Sequence, residues 1–133
     1  MKGYVENIEA ATVANDDFRR VLYTGRNLQL VLMTLPPGCD SGEEVHEDID
    51  QFFRIEQGEG EVHIDGAVHR VEDDFAIIVP AGARHNVVNT GQGPLRLYTL
   101  YGPPEHKEGI VHRDREAAER DHENDHFDGR TTE

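Results

Sequence analysis

Two blocks of the chain concentrate its reactive side chains. The first runs from Gly42 to Gly60 (GEEVHEDIDQFFRIEQGEG) and the second from Pro80 to Asn89 (PAGARHNVVN). Glu44, His46, Gln51 and His85 are their candidates for one converging site, offering two imidazoles, a carboxylate and a carboxamide. Such a set suits a divalent transition metal, and zinc, iron, manganese, nickel and copper would all accept these donors. Residues 44 and 46 are two apart, so in a strand they share a face and can reach one ion. His46 and Asp48 have the same spacing and compete for that role. The amide oxygen of Gln51 is neutral and a weaker donor than a carboxylate, which suits a weak ligand or a group that orients the ligands. Without a metal, the same groups would hydrogen-bond one another or a ligand, and Glu44 is the available base.

Short strands must position these residues. Leu28, Leu30 and Leu32 alternate with Val31, Met33 and Leu35, the pattern of a strand buried on both faces. Pro36-Pro37-Gly38 ends it, because proline cannot donate to a ladder and glycine permits the turn. Short strands at 50–57, 61–64, 67–71, 75–79, 85–89 and 95–101 follow, and Asp65-Gly66 is a two-residue hairpin signal. Upstream, Arg19–Tyr23 reads as a strand and Gly3–Ile8 as a short edge strand. About eight short strands with no helical period between them define an antiparallel sandwich or barrel.

Beyond Glu105 the composition changes. Residues 105–133 carry ten acidic and five basic side chains and four of the eight histidines, a balance that favours a solvated arm. Arg115–Asp121 is long enough for two turns of helix, with Glu116 and Arg120 at an i,i+4 spacing, and too short to persist alone, so it either packs on the barrel, with Ile110, Val111 and Phe127 as tethers, or stays loose. His106, His112, His122 and His126 are read as solvent-facing, and so are Arg19 and Arg20. His63 and His69 flank the Asp65-Gly66 turn and are read as cross-hairpin or surface residues.

Pro80, Gly82, His85 and Asn89 spell P-x-G-x-x-H-x-x-x-N, which resembles the second motif of the cupin superfamily, with Asp74 at its upstream glycine position. The first cupin motif has two histidines separated by one residue, then a glutamate and a later glycine. Anchored on Gly58, it places Glu44 and His46 at the two histidine positions and Gln51 at the glutamate position. The resemblance spans residues 28–101. It implies an all-β double-stranded β-helix, a cupin jelly-roll barrel over residues 1–104, with a short helical or irregular arm over 105–133. The chain looks like the small single-domain cupins described as mannose-6-phosphate isomerase-like. That likeness implies Glu44, His46, Gln51 and His85 as metal ligands and a homodimer that pairs sheet edges or exchanges N-terminal strands. Phe53, Arg54, Arg84 and Tyr98 are candidates for the substrate pocket, the two arginines for an anionic ligand.

With 133 residues the chain fits one domain. A formal net charge of −14 disfavours nucleic acid and anionic membranes and leaves a cation or a small molecule as partner. No apolar run reaches the roughly 18 residues of a membrane span, and the first residues lack the apolar stretch of a secretory signal. Cys39 is alone, as expected of a protein in a reducing cytoplasm. Two functions fit: a metal-dependent enzyme, isomerase-like or dioxygenase-like, acting on a small molecule, or a non-catalytic module that binds a metal or small ligand.

Overall fold

A computed structural model describes residues 1–133. Its strands are β1 (Arg19–Thr24), β2 (Gln29–Leu35), β3 (Glu44–Val45), β4 (Asp50–Gln57), β5 (Glu59–Ile64), β6 (Ala67–Glu72), β7 (Ala76–Val79), β8 (Arg84–Asn89), β9 (Leu95–Gly102) and β10 (Val111–His112). Two short helices, α1 (Ile8–Val13) and α2 (Arg115–Arg120), flank them. One sheet runs β10-β1-β2-β9-β4-β7, the other β3-β8-β5-β6, and the pairings are antiparallel. This is the expected jelly roll.

Alternation of side chains along each strand fills the space between the sheets. Registry aligns Gln29, Tyr101, Gln51 and Val79 in one inward row, and Val31, Thr99, Phe53 and Ile77 in the next. Met33, Leu97 and Ile55 follow, then Leu35 and Leu95. The interior is therefore polar at one end and apolar at the other. Val62 and Val87 of the facing sheet close the apolar part, within a core cluster of 17 buried residues.

Turn geometry fixes the registers. Asp65 and Gly66 have φ of 47° and 86°, the paired positive values of a type I′ hairpin joining β5 to β6. That register sets His63 opposite Val68 and Val62 opposite His69, so the two histidines do not face each other. A Cβ on Gly58 would stand 2.6 Å from the Pro94 carbonyl oxygen, which explains the glycine at this corner.

Three expectations give way. The edge strand at Gly3–Ile8 is absent. The Asn7 side chain instead accepts from the Ala10 amide at 3.0 Å and caps α1, which packs on the outer face of β4 and β9. Arg19 is buried, at 6% exposure. The C-terminal segment is not a solvated arm. β10 pairs with β1, Ala118 of α2 is buried, and the Thr132 amide donates to the Thr24 carbonyl at 2.8 Å. The expected Glu116–Arg120 pair forms at 2.9 Å on α2. Of the four histidines beyond residue 105, His106 and His112 are buried while His122 and His126 stay exposed.

Candidate functional site

The polar end of the barrel assembles from both motif blocks. β3 sets Glu44 in register with His85 of β8, and His46 follows directly after β3. Gly82, with φ of 89°, turns the chain between β7 and β8, and its amide donates to the His46 carbonyl at 2.9 Å, tying the blocks together. Asn89, the last motif residue, is structural: its amide group donates to the Leu35 and Gly93 carbonyls at 2.8 and 2.9 Å.

Of the four expected residues, Glu44, His46 and His85 come into contact, while Gln51 lies inward on β4 with one acceptor unfilled. His46 Nε2 lies 2.9 Å from Glu44 Oε2. The His46 and His85 rings stand 5.4 Å apart between centroids, with Phe53 edge-on to His85 at 6.1 Å. Gln51 is buried and donates to Thr99 Oγ1 at 3.0 Å, while its Oε1 is buried with no hydrogen-bond partner. The rival Asp48 is exposed in a turn.

Of the pocket candidates only Phe53 faces inward. Strand alternation puts Gln51, Phe53 and Ile55 inside and turns Arg54 outward, where it donates to Asp74 and stands within ion-pair range of Glu56, both at 3.0 Å. Tyr98 also faces out, packing on Phe52 at 6.2 Å, and Arg84 is exposed against Glu43 at 2.8 Å. The inward aromatic residue of β9 is Tyr101, edge-on to His46 at 5.8 Å. Parity with Gln51 across the two strands is the signal that separates Tyr101 from Tyr98.

Further groups come from outside the motifs. Glu105 Oε2 lies 3.5 Å from His46 Nδ1, a second carboxylate at the site. His106 places Nδ1 at 2.7 Å from Asp125 Oδ2 and Nε2 at 3.2 Å from the Tyr101 hydroxyl. An ionised Asp125 accepts a hydrogen bond from Nδ1–H, so Nε2 is the acceptor and Tyr101 donates to it. Arg19 approaches Asp125 at 3.8 Å and donates to His112 Nδ1 at 3.2 Å. No spacing rule links residue 19 to 125; their proximity follows from β10 pairing with β1.

Electrostatics separates the two histidines of the site. Burial alone would lower His46, but the Glu44 hydrogen bond and the charges of Glu44 and Glu105 hold it above its usual value. Burial likewise pushes Glu44 up, and His46 with Arg19 and His106 brings it below the usual carboxylate range. Burial lowers His85, against a contact from Nδ1 to the Ala83 carbonyl at 3.4 Å. A neutral His85 that donates through Nδ1 keeps the Nε2 lone pair available. Burial also raises Glu105, opposed by His46.

A jelly-roll barrel with histidines, a carboxylate and a glutamine at one end of its interior defines the class. The chain belongs to the cupin domain family, whose model matches residues 31–101. It is 49% identical over 117 residues to the uncharacterized protein YrkC of Bacillus subtilis, a match covering 84% of this chain and 63% of that protein. It is 30% identical over 82 residues to the tetracenomycin polyketide synthase protein TcmJ of Streptomyces glaucescens, covering 62% of this chain and 55% of TcmJ. The crystal structure of BH2720 from Bacillus halodurans superposes with a TM-score of 0.88 at 44% identity, over 90% of this chain and 95% of that one. KdgF from Halomonas sp., at 23% identity and a TM-score of 0.61, shares the fold over 65% of this chain and 79% of its own.

Proposed function

We propose that the barrel binds a divalent transition metal through His46, His85 and Glu44, with Gln51 as fourth ligand or orienting group, and presents it to a small molecule. The observation that carries this reading is Gln51 Oε1, a buried acceptor left without a partner on the strand position opposite Tyr101, whose ring meets His46. An unmet buried polar group is costly, and a cation would satisfy it. The donor set fits an ion in kind. As the side chains stand, His46 is turned onto Glu44, and no three His, Cys, Asp or Glu groups form a metal-holding cluster. Metal binding would therefore compete with the Glu44–His46 hydrogen bond. A bound ion would supply Lewis acidity at an open coordination position. The chain's own residues would do the rest: Phe53 walls the interior, and Glu105 offers a base outside the ligand set.

The 2.9 Å Glu44–His46 contact favours a second reading, a metal-free pocket in which this pair holds a small ligand directly. Elemental analysis of untagged protein, chelated and then reloaded with iron, zinc, manganese, nickel or copper, separates the two. The metal reading expects about one ion per chain, lost in both Glu44→Ala and His85→Ala. Substoichiometric metal that neither substitution changes sinks it. The expected homodimer would draw on the outer row Leu30, Leu100, Phe52 and Ile78, contiguous across β2, β9, β4 and β7. Light scattering on the same sample reads the assembly.

A further inference from the structure

A cleft of about 320 Å³ lies between α2 and the loop leading into β3, and Glu44 lines it. Its charged lining also includes Arg19, Arg115, Glu43 and Glu119. Most of these charges are already matched. Arg115 is bonded to Asp40 and to Glu119, and Glu43 is held by Arg84 at 2.8 Å. Arg19 is different. Its side chain is 8% exposed, and its Nε is buried without a hydrogen-bond partner. Its nearest carboxylate, Asp125, stands at 3.8 Å and is already engaged by His106 at 2.7 Å and by the Lys107 amide at 3.1 Å. A buried guanidinium whose Nε–H is unmet, and whose one acidic neighbour is shared with His106 and the Lys107 amide, is suited to a further anionic oxygen.

We infer that this cleft receives a small monocarboxylate that also carries a hydroxyl or amine, its carboxylate on Arg19 and its donor on Glu44. Glu44 uses Oε2 for His46 and takes no protein hydrogen bond on Oε1, so it can accept from the ligand. With Glu43 held by Arg84 and Arg115 held by Asp40 and Glu119, Arg19 is the one lining cation left for a ligand, and the surrounding carboxylates disfavour a dianion such as phosphate. The volume is at the low end for ligand pockets, which sets the size class. The expected anion-binding arginines, Arg54 and Arg84, point away from the site, and Arg19 takes that role. The inference rests on the proposed barrel site only in treating Glu44 as part of it.

The test is nuclear magnetic resonance of arginine Nε–H groups in chelated, metal-free wild-type protein titrated with lactate, propionate, lactamide and inorganic phosphate. Lactate is expected to shift the Arg19 Nε–H signal saturably, propionate with several-fold weaker affinity, and lactamide not at all. Arg19→Lys keeps the charge and loses the Nε–H; followed through the Phe18 and Ala118 amides, its lactate affinity should fall about tenfold. The inference is overturned if lactate leaves Arg19 unmoved, or if lactamide or phosphate moves it as strongly. Either result leaves the metal assay standing, and a failed metal assay leaves this titration standing.

Discussion

His46 Nε2 meets Glu44 Oε2 at 2.9 Å, while the other face of the same ring looks onto Glu105 at 3.5 Å. One imidazole between two carboxylates has its charged form favoured, and the first prediction concerns its titration. In the metal-free protein His46 should titrate above the ordinary 6.5, and Glu44→Gln should bring it down. The raised His46 contributes stability that is complete below 6.5 and lost as pH rises through its folded value. The lowered Glu44 contributes above 4.5 and loses that contribution as pH falls through its folded value. The pair thus stabilises most between those two values. Glu44 is partly open to solvent, so Glu44→Gln should cost about 0.5–1 kcal/mol there. Histidine proton resonances followed across pH check the shift; a His46 midpoint unaffected by Glu44→Gln would refute the pairing.

The second prediction rests on the contact between His106 and Asp125. Burial keeps His106 below its ordinary value although Asp125 opposes this, so the folded protein resists a proton that the unfolded chain accepts. Stability should then rise with pH toward 6.5 and fall on acidification below it, and His106→Gln should flatten that slope. Asp125, lowered by His106 despite its burial, adds a loss as pH falls from 3.8. Asp125→Asn leaves Arg19 and His106 buried with a weaker acceptor and should cost about 2–4 kcal/mol near neutral pH. Urea denaturation at several pH values measures both effects, and an unchanged slope in His106→Gln would remove His106 as the source.

What the sequence made legible was local. Pro80, Gly82 and His85 could be read because a strand stop, a positive-φ turn and an inward side chain within six positions describe one corner. Gln29–Leu35 could be read because alternation states its own period, although Leu28, expected on a buried face, lies exposed before the strand. Arg54 and Tyr98 were legible in principle, since parity with Gln51 turns them outward, but proximity to the motif suggested the opposite. A helix stands where Gly3–Ile8 suggests an edge strand, because Asn7, Ala10 and Ala11 carry only a weak cap-and-helix signal within a polar stretch. Arg19, His106, His112 and Asp125 were beyond reach. Nothing in an acidic, histidine-containing run tells which members β10 will draw under the sheet, because that depends on pairing residues more than 90 positions apart.

The third prediction tests that long-range packing. A solvated arm could be removed at little cost. Here residues beyond Gly109 supply β10 against β1, Ala118 in the core cluster, and the Asp125 carboxylate beside Arg19 and His106. Deleting them strips an edge strand and leaves a buried guanidinium with no acidic neighbour, the kind of uncompensated charge that costs about 3–5 kcal/mol. That is a large share of a domain's usual stability of roughly 5–15 kcal/mol. The truncated chain should therefore unfold at markedly lower urea concentration or fail to fold. Arg19→Met in the truncated background should recover part of the loss, because it removes the stranded charge while keeping volume. The chain has no tryptophan, so far-ultraviolet circular dichroism is the direct readout. Equal midpoints for truncated and full-length chains would return residues 110–133 to the status of a loose arm.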